Sequence, residues 1–329
     1  MIRLFSGNNP LNVLLLFFLG ILLKLPYFLQ PAVPQYAPSD GFLYVSLLQS
    51  LRPVGALFPW LYPIFSFLLL FLQAVTFNGL INTQKLFPQP NLLPAFSFLL
   101  ITSLVPDWNV LSPGLIINTV LVWAWPRMVG LYHNSHPKEN LFNLGFGFGI
   151  CSFIYFPSVY YLLLLIVALA IYRPFYISEW LVALVGLLTP FYFVLVYFFV
   201  WDKWYLVDTL VPAQRMRLPD IPFNSDFWIT LSLVILPLLL GIVLSRRFVV
   251  RMLVHARKSW SFMLVYLIIC LVLPFINSYG GLTHYVLAAV PISFFHAGFY
   301  TAPRSKKLPE VVVWLSIAWV VINYFTAPV

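Results

Sequence analysis

The sequence predicts an all-α integral membrane protein, a single domain over residues 1–329 with about eleven transmembrane helices. Three observations carry that expectation. Hydrophobic residues make up 62% of the chain and charged ones only 8%, where a soluble domain is about a quarter charged. Apolar runs of about 17 to 25 residues recur along the whole length, long enough for helices that satisfy their own backbone groups in lipid. Those runs do not alternate apolar and polar residues, which argues against barrel strands.

The first apolar run, 11–29, follows Arg3 and resembles a secretory leader, but Leu25-Pro26-Tyr27 offers no small-residue cleavage site, so it reads as a retained first span. After it come a polar segment around Asp40 and a stretch, 45–51, with one apolar side that suits the interface. Further spans are expected near 54–76, 91–105, 111–132, 142–156, 158–172, 180–200, 227–245, 260–276, 284–300 and 310–327. The pieces 91–105, 142–156 and 158–172 are short for a bilayer and either tilt little, stop early or pair as re-entrant hairpins. Within 142–156, Gly145, Gly147 and Gly149 suit close helix packing. Cys151 and Cys270 fall inside apolar spans and read as packing residues.

Charge sets an orientation. The formal charge is +9, and thirteen of the eighteen basic residues fall on one side if the N-terminus is cytoplasmic, the densest groups being 246–258 and 304–307. That topology signal explains the charge without nucleic acid. All six aspartates then lie in outer loops, while Glu139, Glu179 and Glu310 lie inside. Orientation rules do not count acids, so the outer face is where chemistry is expected.

Asp40 follows the first span at a helix-cap-like position. It is either an ordinary cap, kept ionised by helix amides, or a general base at the membrane surface. Asp107 and Trp108 occupy a short outer turn after Pro106; turn chemistry explains Asp there, and a carboxylate beside a flat apolar ring also suits a sugar. In the loop 201–226, Trp201, Trp204 and Tyr205 read as an interfacial belt. Lys203, Arg215 and Arg217 in that loop either hold a lipid phosphate or pair with Asp202, Asp208 and Asp220. Late in the chain, a glycine-bearing turn sets His284 and Tyr285 at the top of a span, as interfacial anchors or as donors to a phosphate. The histidines and cysteines have no metal-ligand spacing, so no metal is required, and no nucleotide-binding motif is present.

The tract Ile21-Leu22-Leu23-Lys24-Leu25-Pro26-Tyr27, the segment Ser39-Asp40-Gly41-Phe42-Leu43-Tyr44 and the run Thr283-His284-Tyr285-Val286-Leu287-Ala288-Ala289-Val290-Pro291 together resemble GT-C glycosyltransferases. Those are multispanning enzymes that use polyprenyl-phosphate sugars at the outer membrane face. The resemblance implies a GT-C-like bundle with an outer-facing cavity, Asp40 as catalytic carboxylate, and His284 and Tyr285 as donor-lipid contacts. The sequence departs from the family pattern in having Gly41 where a second acid is usual and His284 where Arg is common. Over nearly its whole length the chain is also similar to a family of Bacteroidota inner-membrane proteins of unassigned function. Phe5-Ser6-Gly7-Asn8-Asn9-Pro10-Leu11-Asn12 and Leu111-Ser112-Pro113 support that match.

The expected function is transfer of a sugar, mannose among the candidates, from a polyprenyl-phosphate carrier to a periplasmic acceptor in the cell envelope. Asp40 serves as base and Asp107 and Trp108 as acceptor contacts, while Lys203, Arg215, Arg217, His284 and Tyr285 contact the donor. A divalent metal is compatible with that chemistry and not demanded by it. The alternative is a non-catalytic membrane subunit of an export or envelope-assembly complex.

Overall fold

The computed structural model describes residues 1–37, 40–211, 224–276, 281–303 and 305–326. Arg215 and Arg217, with Pro38, Ser39 and Asp220, lie outside the described residues. The helices in chain order are α1 (Ile2–Phe5), α2 (Pro10–Leu29), α3 (Phe42–Leu57), α4 (Leu61–Thr83), α5 (Leu93–Leu104), α6 (Pro113–Val129) and α7 (Lys138–Ser152). They continue with α8 (Leu162–Tyr172), α9 (Ile177–Val200), α10 (Ser225–Val249), α11 (Val254–Val272), α12 (Ala289–Thr301) and α13 (Lys307–Thr326). No β-strand occurs among the described residues.

A helix stands in each of the eleven expected segments, and seven of these, among the described residues, are long and apolar enough to cross a membrane. The others are shorter. With a rise of about 1.5 Å per residue, the 12 residues of α5 span roughly 18 Å, well under a hydrocarbon core of about 30 Å. All of α5 is buried, and so is α12 from Ala289 to Tyr300. Both helices therefore read as apolar because they form the protein's interior.

The expected span 54–76 is displaced in the structure. Its beginning belongs to α3, and the long helix α4 runs on to Thr83. Polar residues of α4 are buried and bonded inside the bundle: Gln73 Nε2 donates to the Leu115 carbonyl at 2.8 Å, and Asn78 Nδ2 to that of Asn91 at 3.0 Å. Asn118 Nδ2 donates in turn to Gln73 Oε1 at 3.0 Å, joining α6 to α4. Amide pairs of this kind satisfy polar groups where water is excluded.

Each long helix divides into an outward and an inward stripe. In α2, Leu11, Leu14, Leu15, Phe18, Leu22, Leu25 and Leu29 are exposed, whereas Leu16, Gly20, Leu23 and Lys24 are buried at helical spacing. The exposed apolar stripe suits lipid contact. Where two backbones meet, side chains disappear: a Cβ on Gly145 or Gly149 of α7 would run into the carbonyls of Ala183 and Leu187 on α9. Gly147 faces Trp123 with ordinary clearance, so the first and last of the three glycines form the seam.

The connections gather at two ends. At one end, the Phe5 carbonyl accepts from Leu92 N at 2.9 Å, and Trp260 Nε1 donates to the Leu86 carbonyl at 3.0 Å. There too Arg173 forms a two-point pair with Glu179, at 2.9 and 2.8 Å, and donates to the carbonyls of Leu131 and Asn134. The opposite end carries Asp40, the turn Pro106–Asn109, the turn Phe156–Tyr161 and the turn Thr283–Ala288.

Candidate functional site

At that second end, the chain leaving α2 is pinned to the segment after α7. Gly41 N donates to the Ile154 carbonyl at 2.9 Å and Leu43 N to that of Phe153 at 3.0 Å, while Asp40 forms an isolated antiparallel bridge with Tyr155. The approach is close enough that a Cβ on Gly41 would overlap the Phe153 carbonyl. Glycine is needed here because two backbones touch.

Gly41, not Asp40, is the N-cap of α3, and no side chain caps that helix. The cap role expected for Asp40 is thereby corrected. Its Oδ2 accepts from Ala37 N at 2.8 Å, within its own loop, and its Oδ1 is buried with no hydrogen-bond partner. Burial dominates over that one amide, and the Asp40 carboxyl is pushed up to about 6. A carboxylate poised there, with a free oxygen, is suited to taking a proton near neutral pH.

That carboxyl lines a cavity of about 200 Å³ together with Gln35, Tyr44, Asp107, Ser112 and His284. Two of the other sequence candidates, Asp107 and His284, are thus brought to the same space as Asp40. Asp107 is largely exposed, yet its surroundings crowd the carboxyl enough that desolvation raises its pKa, against the pull of the Leu282 amide. His284 is buried, its Nδ1 has no partner, and its ring lies on that of Tyr155 with centroids 4.3 Å apart.

Trp108, Tyr285 and Lys203 do not line this cavity. Trp108 is only 5% exposed and its indole donates to the Leu282 carbonyl at 2.9 Å, so it packs the wall and presents no open face to a sugar. Tyr285 meets Phe275 edge-on at 6.0 Å, away from the cavity lining. Lys203 sits 5.6 Å from the ring centre of Tyr197, at the end of α9. Its loop reaches the site by packing: Leu210 joins Phe153 and Phe198 in a small apolar cluster against which Phe42 packs. Of the cations expected to hold a phosphate, His284 lines the cavity and Lys203 does not, while Arg215 and Arg217 lie outside the described residues. The described residues do not gather three His, Cys, Asp or Glu side chains into a group that would hold a metal ion.

Two residues at or beside the site were not singled out in the sequence. Tyr155 bridges Asp40 through backbone and His284 through its ring, yet it sits at the end of an apolar run and resembles an ordinary belt aromatic. The second is Lys24, in a neighbouring cleft and 2% exposed inside α2, whose ammonium donates to Thr102 Oγ1 at 3.1 Å and to Asn109 Oδ1. Asn109 Nδ2 donates back to the Thr102 and Val105 carbonyls at 2.8 and 3.1 Å, closing the C-terminal end of α5. A lysine within an apolar span was the available signal, because such a charge demands partners.

The fold and this polar end define an all-helical chain built as a multi-pass membrane protein. No protein-family model matches it, and neither the curated proteins nor the solved structures contain a match.

Proposed function

We propose that the chain is a membrane glycosyltransferase that moves a sugar from a polyprenyl-phosphate carrier to an acceptor hydroxyl at the outer, periplasmic face of a bacterial inner membrane. The observation that carries this reading is the meeting of Asp40, Asp107 and His284 at one cavity, with a partnerless carboxylate oxygen on Asp40. The local resemblance of the segments around Asp40 and His284 to GT-C enzymes points the same way.

In the step itself, Asp40 Oδ1 takes the proton of the acceptor hydroxyl as that oxygen attacks the anomeric carbon of the sugar. The bond from the anomeric carbon to the phosphate oxygen breaks, and its electron pair leaves with polyprenyl phosphate. Asp107 orients the acceptor by accepting from a second hydroxyl. His284 donates to the acceptor from whichever ring nitrogen carries its proton. Tyr44 is spent on the wall, its hydroxyl donating to the Leu111 carbonyl at 2.9 Å. Lys203, Arg215 and Arg217 are assigned to the lipid phosphate.

The test is direct. Purified chain in lipid nanodiscs, given polyprenyl-phosphate mannose and polyprenyl-phosphate glucose in turn with membrane-extracted acceptors, should convert one of them to free polyprenyl phosphate and a glycosylated product. Failure to consume either carrier would count against a transferase and favour the non-catalytic subunit.

A further inference from the structure

Two carboxylates line the cavity beside the neutral polar side chains of Gln35, Tyr44, Ser112, Thr283 and His284. Asp40 Oδ1 is a buried acceptor without a donor, and Asp107 adds a second carboxylate. Tyr44 gives its proton to the Leu111 carbonyl, so its hydroxyl can only accept from a ligand. Ser112 Oγ accepts from Leu115 N at 3.2 Å as the N-cap of α6. His284, 3% exposed, contributes a buried Nδ1 that is likewise unpartnered.

Among the described residues lining the cavity there is no Lys or Arg. The buried ammonium of Lys24 lines a different cleft, with Tyr27 and Phe67, and is engaged by Thr102 and Asn109. Lys203 stands over Tyr197. A phosphate placed between Asp40 and Asp107 would meet two like charges and no Lys or Arg among the described lining residues, while a group rich in N–H donors would find two carboxylates.

We propose that this cavity is the acceptor subsite and that it takes an amine-bearing polyhydroxyl ring, an amino sugar, rather than any phosphorylated group. The assignment rests on the transferase reading and sharpens it: the donor phosphate must be held elsewhere, and the acceptor brings its own positive charge. A cavity of about 200 Å³ is below the usual range of roughly 300–1,000 Å³ for larger ligands, which suits a single ring.

Equilibrium binding to the full chain in nanodiscs at pH 7.5 tests this without any turnover, so it can fail while the transferase reading stands, and the reverse. The probes are D-glucosamine, D-glucose and D-glucose 6-phosphate, read by saturation-transfer NMR and titration calorimetry. Glucosamine should bind about tenfold or more tighter than glucose, the worth of one charge-assisted hydrogen bond, and glucose 6-phosphate weakest of the three. Asp40→Asn should erase the preference for the amine, and Asp107→Asn should reduce it should the first variant fold poorly. Asp202→Asn, on the exposed end of α9, should keep it. Equal or tighter binding of glucose 6-phosphate, a preference that survives both cavity variants, or no binding of any probe would overturn the assignment.

Discussion

The imidazole of His284 lies nearly flat on the phenol ring of Tyr155, with centroids 4.3 Å apart and 18° between the planes. Since the backbone of Tyr155 is bridged to Asp40, one aromatic residue sets the position of two cavity residues that are more than two hundred positions apart in the chain. Tyr155→Ala removes a side chain that is 1% exposed, so it should destabilise the fold by about 3 kcal/mol or more. Thermal unfolding in detergent should show the drop, and glucosamine binding should fall with it.

Lys24→Met keeps the length and apolar stem of the side chain while deleting its ammonium. Asn109 Oδ1 then loses that buried donor, and the cost should be about 1–3 kcal/mol in unfolding free energy. A variant as stable as wild type would show that the ammonium is not what ties α2 to the turn Pro106–Asn109.

The raised Asp40 carboxyl also predicts how stability follows pH. The folded chain holds this proton more tightly than the unfolded chain does, so the contribution is fully present below about 4, the ordinary Asp range, and is lost as pH rises through about 6. Asp40→Asn cannot ionise and escapes that loss. Its melting temperature should exceed that of wild type at pH 7.5 and converge with it at pH 4; an unchanged gap between the two would contradict the burial argument.

Sidedness is open to labelling because Cys151 and Cys270 are both buried and should not react. Asp202→Cys, at an exposed position after α9, should react with an impermeant maleimide added outside intact cells. Arg251→Cys, exposed between α10 and α11, should react only after permeabilisation. The reversed pattern would put the cavity on the cytoplasmic side.

Much of this architecture was legible from hydropathy, since the long helices α2, α9, α10 and α11 coincide with uninterrupted apolar runs. Hydropathy does not distinguish a helix buried in protein from one buried in lipid, which is why α5 and α12 looked like spans of their own. It also ended the expected span at 76, whereas α4 runs on to Thr83 past Asn78, whose polar side chain is bonded to Asn91 inside the bundle. For the site, local motifs pointed to Asp40, Asp107 and His284, but nothing local distinguished Trp108 as a wall residue. Its role depends on Leu282, 174 positions away. The cap expected of Asp40 failed for a similar reason: Phe153 and Ile154 fix where α3 begins, so Gly41 takes the capping position.

The central claim is that Asp40 removes the acceptor proton, and the pH dependence of transfer tests it most directly. With the lipid-linked sugar saturating, the wild-type rate should climb as pH rises through about 6 and level off above it, following ionisation of the buried carboxyl. Asp40→Asn should lose transfer by a factor of about a hundred or more at every pH while remaining folded. A folded Asp40→Asn protein that retains wild-type transfer, with the same rise through pH 6, would contradict the account.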